Sequence, residues 1–328
     1  MTPAVDLVTL GESMVSLRAG GPISAGGCLS MHVAGAESNV AVGAARLGHR
    51  VRWTGVIGSD PQGEFILRQL RGEGIDVLHR EDAVRSTGVM FLEQRTADIT
   101  RAYYYRSASA GSTLNRGDVD EALAGGARVL HLTGITAALS PQAQEAVEYA
   151  ASQAKSAGIL VSLDVNYRSK LWSRDEARAA LARVVPYASV LIASDDELGL
   201  VAPDLERSQA ELGSWETAEV LAAKQLFDLG VQEVVVKRGA AGAGVHTAEG
   251  RHEAPAVPVT SIDTVGAGDA FTAGYLSALL DGENVAGRLH RGVLAGAFAV
   301  STAGDWEGLP RTGELALLGN HIAGSTQR

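Results

Sequence analysis

Cysteine is almost absent from this chain of 328 residues, in which Cys28 is the single example. One thiol excludes a disulfide framework and a cysteine-rich metal site, and it is typical of proteins from a reducing compartment. Proline is also scarce, with 9 residues, and glycine shows no Gly-X-Y period, which excludes collagen and proline-rich low-complexity structure. We therefore expect a globular, cytoplasmic protein.

Positive charge is in deficit, because 28 lysine and arginine residues face 38 acidic residues and the formal net charge is -10. A nucleic-acid-binding protein needs a basic surface, so we expect no nucleic-acid partner. No apolar run approaches the roughly 20 residues of a membrane helix. The N-terminal segment also lacks the basic flank and apolar stretch of a signal peptide, and we expect no membrane partner.

Glycine is abundant, with 39 residues, and apolar strand patterns alternate with amphipathic helix patterns along the chain. The predicted strands are Val5–Leu10, Arg128–Thr133, Ile159–Asp164, Ser189–Ala193 and Glu233–Lys237. The predicted helices are Ala36–Leu47, Pro141–Ala157, Arg174–Val185, Thr217–Leu229, Ala267–Leu280 and Val285–Thr302. This alternation predicts an α/β fold with a mostly parallel sheet, whose ligands bind beyond the carboxyl ends of the strands.

Two stretches, residues 12–34 and 85–107, break the alternation because strand patterns follow one another there without a helix. Within the second stretch, Arg85–Glu93 and Thr100–Arg106 are predicted to form a hairpin. We interpret the two stretches as a small β lid inserted in a single domain that spans residues 1–328. The tail after Gly319 has little pattern, and we expect it to be mobile.

The string Asp263-Thr-Val-Gly-Ala-Gly-Asp269 lies where a predicted helix begins. The small residues Gly266, Ala267 and Gly268 leave the first backbone N–H groups of that helix open to an anion. Asp269 follows directly, placed to accept a proton beside a bound phosphate, and phosphoryl transfer needs both parts. The alternative is structural: a glycine-rich loop precedes an acidic residue that stabilises the first helical turn.

A second string, Ala34-Gly35-Ala36-Glu37-Ser38-Asn39, opens another predicted helix near the N-terminus. Small residues at this position allow a sugar to approach closely, and Asn39 is a candidate hydrogen-bond partner for sugar hydroxyls. The alternative is a tightly packed helix start in which Asn39 is a buried structural amide.

Together and in this order, the two strings resemble the two signatures of the ribokinase (PfkB) family of carbohydrate kinases. The chain departs from the common form at Ala34, where many members have glycine, and has one extra residue before Asn39. The resemblance covers essentially the whole chain. It implies a ribokinase-like three-layer α/β/α sandwich with a β lid, ATP as phosphoryl donor and Mg²⁺ as counter-ion.

Three further strings, at residues 103–110, 131–140 and 164–172, resemble the 2-keto-3-deoxygluconate kinases of this family. Tyr104 and Arg106 lie two residues apart, so in a strand they share one face, where a phenol and a guanidinium suit a sugar acid. The resemblance assigns substrate contacts to Tyr104, Arg106, Gly35 and the backbone of Ile135, and places Arg168 against both substrate and transferred phosphate. The alternatives are a half-buried tyrosine strand, a surface charge at Arg106, and an ion pair between Arg168 and Asp164.

On the nucleotide side, the resemblance assigns adenosine and phosphate contacts to a strand that runs into a glycine-rich turn. The residues concerned are Lys237, Gly239, Ala240 and Gly242, together with Ser194, Gly266 and Gly268.

Glu197 lies in an element similar to the family's N-x-x-E, with Ser194 in place of Asn, which implies contact with Mg²⁺ through water. Asp263 corresponds to a ligand of a monovalent cation, such as K⁺, in some relatives. Taken alone, the glycine-rich string is more typical of a tight surface turn.

Other nucleotide and metal signatures are missing from the sequence. They include the P-loop, the G-x-G-x-x-G string after the first strand and the zinc-binding string H-E-x-x-H. We therefore expect His131 to pack inside the fold.

The predicted activity is ATP-dependent phosphorylation of 2-keto-3-deoxygluconate at its 6-hydroxyl by a homo-oligomer that pairs through the lid. Two alternatives stay open. One is a kinase of this family acting on 2-keto-3-deoxygalactonate, fructose or ribose, and the other is a non-catalytic nucleotide-binding regulator.

Overall fold

A computed structural model describes residues 3–96, 99–203, 205 and 215–319. The strands are β1 Leu7–Leu10, β2 Met14–Ala19, β3 Ser30–Ala34, β4 Val51–Gly58, β5 Asp76–Asp82, β6 Val89–Thr96, β7 Ile99–Tyr105, β8 Val129–Thr133, β9 Leu160–Asp164, β10 Val190–Ser194, β11 Glu233–Lys237, β12 Ala243–Thr247 and β13 Gly250–Ala254. The helices are α1 Ala36–Arg46, α2 Pro61–Gly72, α3 Arg116–Leu123, α4 Gly134–Ala137, α5 Pro141–Ser156, α6 Arg174–Val184, α7 Trp215–Asp228, α8 Ala267–Leu280, α9 Val285–Val300 and α10 Leu315–Gly319.

In the described part of the chain, the central sheet has nine strands in the order β13-β12-β11-β10-β9-β8-β1-β4-β5. All pairings from β11 to β5 are parallel, and β12 and β13 extend the sheet antiparallel at one edge. The strand order changes direction between β1 and β8. In such sheets ligands bind in the crevice beyond the carboxyl ends of the strands at this switch point.

Helices cover both faces of the central sheet and divide the core into two clusters. One cluster contains buried residues of α3, α5, α6 and α7, and the other contains buried residues of α1, α2, α8 and α9. Because both faces are covered, strands such as β11 read as continuous apolar runs, and Val234, Val235 and Val236 are fully buried. The predicted three-layer α/β fold is confirmed.

The two C-terminal helices α8 and α9 pack with their backbones unusually close. A Cβ atom at Gly274 would lie 2.6 Å from the carbonyl oxygen of Arg291, so only glycine fits at this crossing. Their alanine- and glycine-rich sequences are therefore explained by packing. Close contact between these helices fixes the start of α8, which faces the cleft described below.

A second sheet of four strands, in the order β3-β2-β6-β7, covers one end of the molecule. It contains the predicted hairpin as the antiparallel pair β6 and β7. Its inner face is apolar, with Met14, Met90 and Leu92 buried against one another. Its outer face leaves Met31 45% and Tyr105 68% exposed. We call this sheet the lid; its treatment as part of a single domain over residues 1–328 stays a prediction.

The tail predicted after Gly319 lies outside the described residues. Across the described ranges, no helix has the length and apolar character needed to cross a membrane.

Candidate active site

A cleft of about 1510 Å³ lies between the inner face of the lid and the carboxyl ends of the central strands. It is the place where the fold brings together residues from distant parts of the sequence. The predicted site residues that line it are Gly35, Asn39, Tyr104, Arg106, Ile135, Arg168, Asp263, Gly266 and Asp269.

Asp269 lies in the first turn of α8 and is 8% exposed. Its carboxylate accepts hydrogen bonds from Asn39 Nδ2 at 2.8 Å and from Asn166 Nδ2 at 3.3 Å. Burial raises the pKa of Asp269 to about 6, although the hydrogen bond from Asn39 lowers it. A carboxylate with a pKa near neutrality is suited to act as a general base.

Asn39 connects the two sequence signatures, because its side chain is 2% exposed and donates to Asp269. This contact orients the carboxylate, and the binding of sugar hydroxyls by Asn39 stays a prediction. Asn166, which the sequence analysis did not single out, follows β9 with a positive φ of 40°. A polar residue just after a buried strand, at the edge where ligands bind, is the signal that would have identified it.

The start of α8 depends on glycine at position 266. Gly266 has a φ of 75°, and a Cβ atom there would lie 2.1 Å from the carbonyl oxygen of Asp305. The helix has no side-chain cap, which leaves its first N–H groups to a ligand. Ala267 and Gly268 follow, and a Cβ at Gly268 would lie 3.4 Å from Lys237 Nζ. An anion at this helix start would therefore also face an ammonium group.

Lys237 ends β11, and its Nζ lies 2.6 Å from Asp164 Oδ2 in a buried ion pair. Burial opposes the charged form of Lys237, but Asp164 and other carboxylates prevail and raise its pKa above the ordinary value. This pair removes the alternative of an ion pair between Asp164 and Arg168. Arg168 is exposed, donates to the carbonyl of Tyr167 at 3.0 Å and lines the cleft.

The remaining nucleotide-side residues lie at the ends of β10 and β11, outside the lining of the cleft. Gly239 and Ala240 are exposed in a 3₁₀ turn. Gly242 has a φ of 89°, and a Cβ there would lie 2.1 Å from the carbonyl oxygen of Ala254. The turn geometry therefore accounts for Gly242, and contacts of this turn with ATP stay a prediction.

Glu197 and Ser194 are joined to each other by hydrogen bonds. Glu197 is 6% exposed and accepts from the backbone N–H groups of Ser194 at 2.9 Å and Tyr167 at 2.6 Å. Ser194 Oγ donates to Asp196 Oδ1 at 2.5 Å. Within the described ranges, no three His, Cys, Asp or Glu side chains form a group arranged to hold a metal ion.

Arg106 is a buried residue directly after β7, so the surface-charge alternative is wrong. It is 9% exposed and forms an ion pair with Glu12, which is 2% exposed and also accepts a hydrogen bond from Ser109. Glycine at position 111 leaves room for Glu12, since a Cβ there would lie 2.4 Å from Glu12 Cγ. The Arg106 guanidinium lies 5.9 Å from the ring centre of Tyr104, as expected for residues that share one face.

Glu12 and two other charged residues of this region were not singled out from the sequence. Lys170 follows β9 and lines the cleft, and its Nζ donates to the carbonyl of Ala102 in the lid at 2.7 Å.

Glu37 is fully buried under α4 and accepts from Thr133 Oγ1 at 2.6 Å and from Thr136 Oγ1. Burial raises the pKa of Glu37 to about 6. Glu12 lies two residues after β1, and this position near a strand end is the sequence signal for it. Nothing local distinguishes Lys170, which lies six residues after β9, or Glu37.

Asp263 lines the cleft beside the start of α8, but its carboxylate is already bonded to other residues of the chain. It accepts from Arg18 Nη1 at 2.6 Å and from the backbone N–H of Val265 at 3.0 Å.

His131, predicted to pack inside, is fully buried, and burial lowers its pKa to about 4.

Comparison with known proteins matches this chain to one family model and to relatives that align over nearly its whole length. A model described as pfkB family carbohydrate kinase matches residues 4–312. A 2-dehydro-3-deoxygluconokinase of Thermoproteus tenax is 36% identical, covering 93% of this chain and 91% of the relative. A 2-dehydro-3-deoxygalactonokinase of Haloferax volcanii is 33% identical, covering 92% of each. A putative ribokinase II from E. coli, solved with ATP and Mg²⁺, superposes with a TM-score of 0.85 at 25% identity, covering 95% of this chain and 98% of that one.

Proposed function

Because the chain belongs to the PfkB family of ATP-dependent carbohydrate kinases, we propose that it phosphorylates 2-keto-3-deoxygluconate at the 6-hydroxyl, giving 2-keto-3-deoxy-6-phosphogluconate and ADP. The observation that carries the proposal is the meeting of a buried carboxylate and two arginines in one cleft. Asp269, Arg106 and Arg168 line it together with the helix start at Gly266. The names of the relatives from Thermoproteus tenax and Haloferax volcanii support a keto-deoxy sugar acid as substrate.

In the proposed reaction, Asp269 takes the proton of the 6-hydroxyl while that oxygen attacks the γ-phosphorus of ATP. A new O–P bond forms, and the bond from the γ-phosphorus to the β,γ-bridging oxygen breaks to release ADP. The N–H groups of Gly266, Ala267 and Gly268 and the guanidinium of Arg168 stabilise charge on the transferring group. Asn39 and Asn166 hold the Asp269 carboxylate in place.

Mg²⁺, when bound with ATP, neutralises charge on the β- and γ-phosphate oxygens. Mg²⁺ binds through one or two carboxylates and phosphate oxygens, so a closed protein cage is not required. Asp164 Oδ1 is buried and has no hydrogen-bond partner among the residues that the structure describes, and Glu197 lies near Lys237. These carboxylates are the groups that would face the ion.

Charge at the lid side of the cleft supports a sugar acid as the substrate. The guanidinium of Arg106 is offset by Glu12, and Lys170 adds a second cation beside Tyr104, at 5.5 Å from the ring centre. A carboxylate placed between these groups would meet a net positive charge and a hydroxyl partner. The inner apolar face of the lid would exclude water from the reacting groups.

The test is a substrate screen in which ADP release is measured with Mg²⁺ and ATP. We expect the highest kcat/KM on 2-keto-3-deoxygluconate. The Haloferax volcanii relative makes 2-keto-3-deoxygalactonate the second candidate, and a higher kcat/KM on that epimer would select it. A preference for fructose or ribose would overturn the sugar-acid proposal, and ATP binding without turnover on any of these sugars would favour a regulator.

We also propose that the chain acts in the cytoplasm as a homo-oligomer joined through the outer face of the lid. Tyr103 is 41% exposed and Tyr105 68% exposed on this face, and Phe91 packs edge-on against Tyr105 at 5.4 Å. An apolar patch of this kind is typical of protein interfaces. Sedimentation of the wild type and of Tyr105→Asp tests the proposal, and a monomeric wild type would contradict it.

A further inference from the structure

Arg18, on strand β2 of the lid, bridges two carboxylates beside the start of α8. Its Nη1 lies 2.6 Å from Asp263 Oδ2, and its Nη2 lies 2.8 Å from Asp305 Oδ2. The three side chains are 15%, 14% and 5% exposed, so this is a largely buried ionic cluster. A planar guanidinium is suited to such a bridge because its two ends donate in fixed directions.

The two carboxylates that Arg18 binds belong to the segments that shape the anion-binding loop. Asp263 Oδ1 accepts from the N–H of Val265 at 3.0 Å, which stabilises the turn before the helix. The carbonyl oxygen of Asp305 packs against Gly266 so closely that no Cβ fits there. Arg18 therefore holds both sides of the turn from which the N–H groups of α8 emerge.

The resemblance described above assigns Asp263 to a monovalent cation, and the contacts of Asp263 do not fit that assignment. Its oxygens already accept from Arg18, from Val265 and from the N–H of Gly304 at 3.3 Å. A cation coordinated there would displace these donors and lie beside a guanidinium of like charge.

A positive charge at this place nevertheless favours the fold. Asp263 and Asp305 both contact Arg18 and line the same cleft as Asp269, and carboxylates grouped in this way repel one another unless a positive charge offsets them. The guanidinium of Arg18 supplies that charge from within the chain.

We infer that Arg18 is a built-in cation that positions the anion-binding loop, so that this loop does not depend on a dissolved monovalent cation. The kinase role of the loop rests on the proposed function, whereas its independence from K⁺ does not. Arg18 pairs with Ser30 of β3 and Leu92 of β6 within the lid. The same contact therefore links the position of the lid to the order of the phosphate-binding loop.

The first experiment uses the wild-type protein and compares KCl with tetramethylammonium chloride at equal ionic strength. The readouts are the thermal unfolding temperature and the Kd for Mg²⁺-ATP by calorimetry, neither of which requires a known sugar. We expect both to be the same in the two salts. A higher unfolding temperature or tighter ATP binding in KCl alone would overturn the inference.

The second experiment removes the bridge with Arg18→Ala and Arg18→Lys. We expect Arg18→Ala to bind Mg²⁺-ATP about 10- to 100-fold more weakly, because hydrogen bonds between charged groups are lost. We expect K⁺ to restore part of that affinity to Arg18→Ala, since the space between the two carboxylates is then open. Arg18→Lys keeps the charge without the two-ended bridge and should fall between the wild type and Arg18→Ala.

Arg52→Ala is the matched control, because it breaks a 2.8 Å ion pair with Asp76 at the edge of the central sheet, away from the cleft. It should leave ATP affinity and its salt independence unchanged. Wild-type ATP affinity in Arg18→Ala, or equal losses in Arg18→Ala and Arg52→Ala, would overturn the inference. If Arg18→Ala does not fold, the wild-type salt comparison and Arg18→Lys still decide it. Failure of the sugar screen would leave these readouts intact.

Discussion

The proposed sugar side of the cleft and the proposed phosphate side beside it each contain a largely buried cation paired with a carboxylate, but the two pairs are built differently. On the phosphate side, Lys237 and Asp164 both end strands of the central sheet. On the sugar side, Arg106 comes from the lid, whereas Glu12 follows β1 of the central sheet. One pair is thus fixed within a single rigid layer, and the other joins two layers.

Under the proposed function, this difference would divide two tasks of the site. A pair held within one sheet would present its charge to phosphate whatever the position of the lid. A pair that spans lid and sheet would be complete only with the lid in place, which would couple sugar recognition to closure of the cleft. We therefore expect variants of the two pairs to affect different kinetic constants, and variants of Asp269 to affect turnover alone.

Asp269→Asn should produce the largest effect. Loss of the base should lower kcat by about 10²- to 10⁴-fold, while the Kd for ATP changes little because the first N–H groups of α8 remain. ADP release and calorimetry measure the two quantities. Asp76→Asn, at an exposed position of β5, is the control. Activity of Asp269→Asn close to that of the wild type would disprove the role of Asp269.

Lys237→Met should act on the phosphate side. We expect kcat/KM for ATP to fall by about 100-fold with little change in the KM for sugar, because a buried charge facing the phosphates is lost. The unpaired Asp164 should also destabilise the fold by about 3–5 kcal/mol. Adding Asp164→Asn should recover thermal stability without recovering ATP affinity. Recovery of both thermal stability and ATP affinity would show that Lys237 has only a structural role.

Arg106→Met should act on the sugar side. The KM for the sugar acid should rise by about 10- to 100-fold, more than the KM for ATP, because a charged partner of the substrate is removed. Glu12→Gln in the same background should restore stability and leave the raised sugar KM. If the KM for ATP rises equally, the proposed division between the two sides is wrong.

The pH dependence should show the smallest effect and tests the base directly. Burial raises the pKa of Asp269 to about 6, and the base acts in its deprotonated form. We therefore expect kcat/KM to fall about tenfold for each pH unit below about 6 and to level off above it. Glu12→Gln should shift this profile less than Asn39→Ala, which removes a hydrogen bond to the carboxylate. A profile that is flat between pH 5 and pH 7 would contradict the assignment.

Ionisation of buried carboxyl groups should lower the stability of the fold as pH rises, whereas ionisation of Asp269 should raise kcat/KM. Burial raises the pKa values of Asp269, Glu37 and Asp305 to about 6, above those of the unfolded chain. The folded state then binds more protons than the unfolded state between about pH 4 and 6. The contribution of these groups to the free energy of unfolding therefore decreases as pH rises through this window.

Much of the fold could be predicted from local patterns. The long apolar strands and amphipathic helices indicated the parallel sheet, and the two signatures indicated the PfkB family, both of which are confirmed. Strands β4, β5, β12 and β13 were not predicted. β5 is an edge strand whose residues are mostly half-exposed and charged, so its pattern resembles a loop. β12 and β13 are short antiparallel strands at the other edge.

The sequence by itself determined which residue types can do the chemistry: the small residues at the start of α8, the carboxylate directly after them, and the phenol and guanidinium two residues apart. These are local features, since they depend on helix geometry and strand alternation. Only the tertiary structure decided the partners of these groups, as for Asn39 with Asp269, Glu12 with Arg106 and Arg18 with Asp263. Each of these contacts joins segments far apart in the chain. Pairing of a buried charge depends on the energy of desolvation, which exists only once the layers have packed.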